Sequence, residues 1–283
     1  MDVEKPYFYQ VADQYQVILL DSYGVLKNHR GLIPNVQQSM DYLRQQGKII
    51  RILTNDASRS PEQQASRFAA QGLQGISPAE IITSGMMARD FLAHKLRSGR
   101  VAYLGTASAA QYIVDASLEG VPVGELDLEQ LDDIVAMVFL DDEGFDWNVD
   151  INTTVNLIRK TTIPVIVANG DKLYPVSHRN VSIATGGIAK LVESILGRKF
   201  IHFGKPDTQM FNYAFEEVNR YGSFRREDVL MVGDTLHTDI LGGNKFGVAT
   251  MLVLSGNTRP ENADLMIRST GIIPDYIGPS IVA

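Results

Sequence analysis

Cysteine is absent from the 283-residue chain. That excludes disulfide scaffolds, thiol catalysis and cysteine-ligated zinc or iron–sulfur centres. Basic residues are the minority, 26 Lys and Arg against 33 Asp and Glu, for a formal charge of −7. A net anion lacks the basic footprint of sequence-independent nucleic-acid binding, so no nucleic-acid partner is expected. Long apolar runs are missing too. The longest, Ile134 to Leu140, falls far short of the roughly 20 residues that span a bilayer. The opening MDVEKPYFYQVADQYQ is polar and has no apolar stretch of the kind that marks a secretory leader. These absences set the expectation of a cytoplasmic protein with no membrane partner. No Gly-x-Gly dinucleotide fingerprint, phosphate-binding P-loop, Gly-x-Ser-x-Gly elbow or His-Glu-x-x-His zinc site occurs. The histidines, at 29, 94, 178, 202 and 237, show no ligand spacing.

What is present is an ordinary globular composition, 45% hydrophobic and 21% charged, on a chain long enough for two domains. Short β-branched runs alternate with longer amphipathic ones. Val17–Leu20, Ile49–Leu53, Val101–Leu104, Ile134–Leu140, Ile163–Ala168, Val229–Val232 and Thr250–Leu254 read as buried strands. Pro34–Gln46, Pro61–Gln71, Gly85–Lys95, Ala107–Glu119, Val149–Lys160, Gly187–Leu196, Pro206–Arg220 and Thr238–Phe246 read as helices. The alternation predicts an α/β fold with a largely parallel sheet. Gly- or Pro-rich tethers are lacking, so a second domain is expected within the first rather than strung after it. Asp2–Gln16 and the tail beyond Asn257 carry no reading beyond packing or surface.

Four segments place polar groups at predicted strand ends. In VILLDSYGVL a strand runs into Asp21, Ser22, Tyr23 and Gly24. In IIRILTNDASRS a strand ends at Thr54 and Asn55. FGKPD puts Lys205 ahead of a helix, and VLMVGDTLHTD ends a strand in Gly233-Asp234 with Asp239 five residues on. Ligands of open α/β sheets bind outside the carboxyl ends of the strands. Two carboxylates brought together there repel unless a hard cation lies between them. A carboxylate can also attack as a nucleophile. Lysine, threonine and asparagine would then face an anion, which is the equipment of phosphoryl transfer. The acidic run Asp141-Asp142-Glu143 beside Trp147 reads as a solvated strand exit, with recognition of a cationic or sugar-like substrate as the alternative.

Together these segments resemble the haloacid dehalogenase (HAD) superfamily, and within it the class IIA, NagD-like phosphatases. Asp21-Ser22-Tyr23-Gly24 is similar to the family's first motif, Thr54-Asn55 to its second, Gly204-Lys205-Pro206 to its lysine motif, and Gly233-Asp234 with Asp239 to its acidic motif. Ile82–Gly85, Ala168–Asp171 with Pro175, Thr185–Gly187 and Leu230–Gly243 look like the same branch. The resemblance implies a doubly wound Rossmann-like core, over 1–84 and 186–283, with an inserted α/β cap over 85–185. It implies a Mg²⁺-dependent phosphatase of a small phosphorylated metabolite, working through an aspartyl phosphate on Asp21. Asp21, the Tyr23 backbone carbonyl and Asp234 would hold the metal, with Asp239 in support. Thr54, Asn55 and Lys205 would bind the transferred group. A homodimer through the cap is a further implication.

One position departs from the pattern. The family's phosphatases carry a second Asp, the general acid and base, where this chain has Tyr23. A phenol, with a reference pKa near 10, is a poor base at neutral pH. Asp56 and His237 are candidates to replace it. The same Asp-x-Tyr-Gly pattern is similar to the superfamily's dehalogenases, in which the aspartate attacks carbon. C–halogen hydrolysis, or a ligand-binding protein with weakened turnover, therefore stand as alternatives.

Overall fold

The computed structural model describes residues 3–177 and 180–282. His178, one of the five histidines, lies outside the described residues. The strands, in chain order, are β1 Val17–Leu20, β2 Lys27–Asn28, β3 Gly31–Leu32, β4 Ile49–Thr54, β5 Ile81–Thr83, β6 Arg100–Leu104, β7 Glu119–Pro122 and β8 Ile134–Phe139. They continue with β9 Val165–Val167, β10 Leu173–Pro175, β11 Val181–Ile183, β12 Ile201–His202, β13 Val229–Gly233, β14 Ala249–Val253 and β15 Tyr276–Gly278. One parallel sheet runs β15-β14-β13-β1-β4-β5 and a second runs β12-β9-β8-β6-β7. Two short antiparallel hairpins, β2–β3 and β10–β11, complete the strands. No helix among the described residues is long and apolar enough to cross a membrane.

The strands of the first sheet are apolar at nearly every position because helices cover both faces. In β1, Ile18 and Leu20 join one core cluster with Ile52, Leu230, Val232 and Phe68. Val17 and Leu19 point the other way, into a cluster with Leu53, Met231, Met210 and Phe211. The second sheet repeats the device: Val101, Tyr103 and Val138 pack on one side, Ala102, Leu104, Met137 and Phe139 on the other. At the centre of the first sheet, Leu20 lies level with Ile52 of β4 and Val232 of β13. The chain leaving β1 is therefore flanked by the ends of those two strands, and this register brings distant motifs to one rim.

The helix expected over Gly187–Leu196, with the first sheet, runs over Thr185–Leu196. Its Ile188, Ala189 and Val192 pack instead against Val165, Val167 and Phe139 of the second, and β12 pairs with β9. Other expected elements shorten where local geometry intervenes. The helix predicted over Ala107–Glu119 is α-helical only at Gln111–Asp115; Ser117 adopts a left-handed φ of 62°, and Glu119 opens β7. Leu236–Ile240 forms a π-turn before the α-helix Leu241–Phe246. The tail without a sequence reading folds into the helix Pro260–Thr270 and strand β15. The N-terminal segment forms the short helix Phe8–Ala12, whose Phe8 and Val11 enter the core.

Glu193, on the helix Thr185–Leu196, ties that helix to β12. Its carboxylate accepts from the Phe200 N–H at 2.7 Å and Lys190 Nζ at 3.0 Å, with His202 Nε2 at 3.1 Å. Burial raises such a group, but these partners outweigh it and hold the Glu193 carboxyl down to about 2. A depressed carboxyl stabilises the fold fully above its unfolded pKa, near 4.5, and that contribution fades as pH falls toward the folded value. Wild type is therefore expected to melt above Glu193→Gln at neutral pH. The gap should narrow below pH 4.5 and close near pH 2, as read by thermal melts at each pH. A gap independent of pH would show that the charge of Glu193 does not act.

Candidate active site

Asp21 follows β1, with its N–H bonded to the Val232 carbonyl at 2.9 Å. That bond holds the turn against β13. Oδ1 of Asp21 accepts from the Ser22 N–H at 2.7 Å and lies 2.7 Å from Lys205 Nζ. The same ammonium donates to Asp239 Oδ1 at 2.6 Å. Asp239 Oδ2 in turn accepts from the Thr235 N–H at 3.0 Å. Asp234, at the end of β13, accepts from Thr235 Oγ1 at 2.8 Å and from the Asn257 N–H at 2.6 Å. Asp21 and Lys205, 184 positions apart in sequence, thus meet Asp234 and Asp239 in one buried cluster.

Two glycines let Asp234 into that cluster. A Cβ on Gly24, which sits at φ +79°, would fall 1.9 Å from Asp234 Oδ2, and one on Gly256 would fall 1.8 Å from it. Only hydrogen fits at either position, so the aspartate is gripped by backbone from both sides.

The electrostatics are those of excess negative charge. Carboxylate oxygens of Asp21, Asp234 and Asp239 lie within 4.8 Å of one another. Burial and then Asp239 push the Asp21 carboxyl well above its ordinary range, and the same two causes push Asp234 up to about 7. Burial opposes the charge on Lys205, but Asp21 and Asp239 overcome it and raise its pKa. Three acids against one ammonium leave a deficit of positive charge. A hard divalent cation, which takes carboxylate oxygens as ligands, fits that deficit.

Thr54 and Asn55 end β4 beside this cluster. The Asn55 side chain is fully engaged: Oδ1 accepts the Lys205 N–H at 2.7 Å, while Nδ2 donates to the Lys205 carbonyl at 3.0 Å and to Asp171 Oδ1 at 2.9 Å. It serves as a strut that fixes the lysine loop, and its amide is not turned to a ligand. A Cβ on Gly204, at φ +99°, would meet Asn55 Oδ1 at 2.5 Å, so this strut too needs a glycine opposite. Thr54 Oγ1 accepts the Asp56 N–H at 3.1 Å, which leaves its hydroxyl proton to donate.

The candidates for a missing base separate in space. Asp56 Oδ1 is occupied by the Ser58 N–H and hydroxyl, at 2.9 and 2.5 Å, which is a turn-capping role. His237 is exposed. The Tyr23 hydroxyl donates to the Pro175 carbonyl of the β10–β11 hairpin at 2.7 Å, and burial raises its pKa. That hairpin has a second tie, from the Tyr174 hydroxyl to Asp142 Oδ2 at 2.9 Å. The acidic run expected as a solvated exit is accordingly in part internal: Asp141 is buried and accepts from Thr106 Oγ1 at 3.0 Å. Trp147 is exposed and packs on Phe145.

Asp171 was noted in the sequence only as part of a resemblance. Its contact with Asn55 brings it to the site, and burial raises its carboxyl. The available signal was positional, since it lies in the loop that leaves β9, four residues past the strand end. Tyr112 also escaped notice. Its buried hydroxyl lies 2.7 Å from Thr83 Oγ1 and 2.7 Å from the Arg59 carbonyl, which seats the second-sheet unit on the first.

Known proteins share this chain's sequence and fold. Residues 18–119 match the family described as haloacid dehalogenase-like hydrolase, and residues 202–281 match the HAD-hydrolase-like family. Chronophin of Mus musculus is 30% identical over 281 residues, covering 96% of this chain and 92% of its own. A Cytophaga hutchinsonii structure, described as a possible sugar phosphatase of the HAD superfamily, is 48% identical. It superposes with a TM-score of 0.96 over 100% of this chain and 99% of that one. A glycerol phosphate phosphatase from Mycobacterium tuberculosis, solved in complex with magnesium, is 25% identical with a TM-score of 0.78. The match covers 98% of this chain and 78% of that one.

Proposed function

From the chain's membership of the haloacid dehalogenase-like hydrolases, in their class IIA phosphatase branch, we propose that it hydrolyses a small phosphorylated metabolite with Asp21 as nucleophile. The observation that carries this reading is exposure. The Asp21 side chain keeps 13% of its surface, whereas that of Asp239 keeps none and Asp234 is 1% exposed. Asp21 alone of the three can meet a substrate. Its Oδ2 has no hydrogen bond among the described residues.

In the first step an Asp21 carboxylate oxygen bonds to phosphorus and the bond to the leaving oxygen breaks. In the second, water attacks phosphorus, releases phosphate and restores the carboxylate. Lys205 holds Asp21 in place and spends two of its three donors on Asp21 and Asp239. The third, with the Thr54 hydroxyl and the backbone N–H groups of the β4 turn, would face the transferred group. Asp21, Asp234 and the Tyr23 carbonyl would hold Mg²⁺, with Asp239 in support; when bound, the ion neutralises charge on the phosphoryl oxygens. We place the cap at about 85–203 rather than 85–185, because the helix Thr185–Leu196 and β12 belong to the second sheet.

Two outcomes test the assignments. Hydrolysis of p-nitrophenyl phosphate is expected to require Mg²⁺. Asp234→Ala should lower both the rate and the apparent Mg²⁺ affinity, and an unchanged metal dependence would remove Asp234 from the site. Tyr23 is engaged with Pro175 and is a weak base, so aryl phosphates, whose leaving group needs no proton, should be preferred. Tyr23→Asp is then expected to raise turnover of alkyl phosphates more than of aryl phosphates, by up to about 10²-fold. An equal response on both would show that this position takes no part in proton transfer.

A further inference from the structure

A second charged recess lies on the same rim, between the β2–β3 hairpin and the helix Pro61–Gln71. These elements follow β1 and β4, the strands that present Asp21 and Thr54. Lys27, Arg59, Arg67 and Gln64 line it, with Asp56 at its side. Three cations face one carboxylate there, in a chain whose net charge is −7. None of the three cations has an ion-pair partner among the described residues. Arg59 donates only to Ser58 Oγ, at 2.9 Å. The Lys27 ammonium rests 5.7 Å from the centre of the Phe68 ring. Asp56 is the one carboxylate among the lining residues set against them, and its Oδ1 accepts from the Ser58 N–H and hydroxyl. Burial lowers the Lys27 pKa, repulsion from Arg67 and Arg59 adds to that, and Asp56 and Asp21 act against it.

Gln64 supplies an independent observation. It is 4% exposed, and its Nε2 donates to the Asp56 and Arg59 carbonyls at 3.1 and 3.4 Å. Those two acceptors fix the orientation of the amide. Its Oε1 is then a buried acceptor with no partner among the described residues. A buried acceptor left unmade is costly, and the side chain that carries it is among those lining the recess. Unpaired cations and an unmet acceptor are complementary to an anionic group carried next to a hydroxyl.

We infer that Lys27, Arg59, Arg67 and Gln64 form a subsite for a second anionic group of the substrate, selecting phosphate monoesters that also carry a carboxylate or another phosphate. The subsite rests on the reading of Asp21 as the nucleophile of a phosphatase. Tyr112 contributes to it indirectly, because its bond to the Arg59 carbonyl fixes the loop that carries Arg59.

The test compares matched ligands by calorimetric titration into Asp21→Asn, with Mg²⁺ present, so that binding is read without turnover. Glycerol 3-phosphate is set against 3-phosphoglycerate, and fructose 6-phosphate against fructose 1,6-bisphosphate. The member carrying the second anionic group in at least one pair is expected to bind at least about tenfold more tightly, the scale of one charge-assisted hydrogen bond. Which pair responds tells carboxylate from phosphate. Adding Arg67→Gln should bring that ratio close to one, and Arg67→Lys should restore part of it. Pairs bound equally, no binding of any member, or an Arg67→Gln loss shared by both members of a pair would overturn the subsite. Failure of the underlying phosphatase reading shows separately, as p-nitrophenyl phosphate turnover by wild type that is absent or insensitive to Asp21→Asn.

Discussion

Asp21→Asn is expected to lower p-nitrophenyl phosphate hydrolysis by at least about 10³-fold, as removal of a nucleophile does, while the protein stays folded. The amide keeps the size of the carboxylate but cannot attack phosphorus. Stability should not suffer. The charge removed is one that burial and Asp239 both oppose, and Lys205 keeps its bond to Asp239. With metal chelated, the thermal midpoint of the variant is expected to equal or exceed that of wild type. Retained turnover would take the nucleophile away from Asp21. Lost turnover with a collapsed melting transition would mean that the substitution had acted through the fold.

Lys205→Met should give the largest loss of stability. Lys205 is 3% exposed and is the cation that bridges Asp21 and Asp239. Its removal leaves two buried carboxylates beside Asp234 with no positive charge between them. Breaking a buried ion pair from one side typically costs about 3–5 kcal/mol. The variant should also lose activity, since the ammonium that orients the nucleophile is gone. A specific corollary follows from the charge deficit. Mg²⁺ should raise the melting temperature of Lys205→Met more than that of wild type, because the ion then supplies the only local positive charge. A variant as stable as wild type in chelator, or one indifferent to Mg²⁺, would show that the cluster is not governed by its charge balance.

Much of this site is legible in sequence because strand ends have a fixed meaning in a parallel sheet. Val17–Leu20 could only be a buried strand, and what followed it, Asp21, had to lie at the rim. The same logic placed Thr54 and Asp234. Lys205 was harder. It does not end a strand of the first sheet, and its position depends on Asn55, whose engaged amide no local pattern announces. Asp171 and Tyr112 reach the site through contacts spanning 116 and 53 residues, which periodicity does not encode. The proposed shift of the boundary from residue 185 to about 203 has a related origin. An amphipathic helix shows that it has an apolar face, but not which of two sheets receives it. The tail after Asn257 offered Pro260 and Gly271 as start and stop, a signal that was present but weak beside the stronger strands.

The proposed reaction turns on a covalent bond between Asp21 and phosphorus. The most direct measurement is acid quenching of wild type during turnover of a phosphate-labelled substrate, followed by peptide mapping. Label is expected on the peptide containing Asp21, at up to one phosphoryl group per chain, absent from Asp21→Asn and chased away by unlabelled substrate. Hydrolysis that proceeds with no label on that peptide, or with label on another residue, would contradict that assignment.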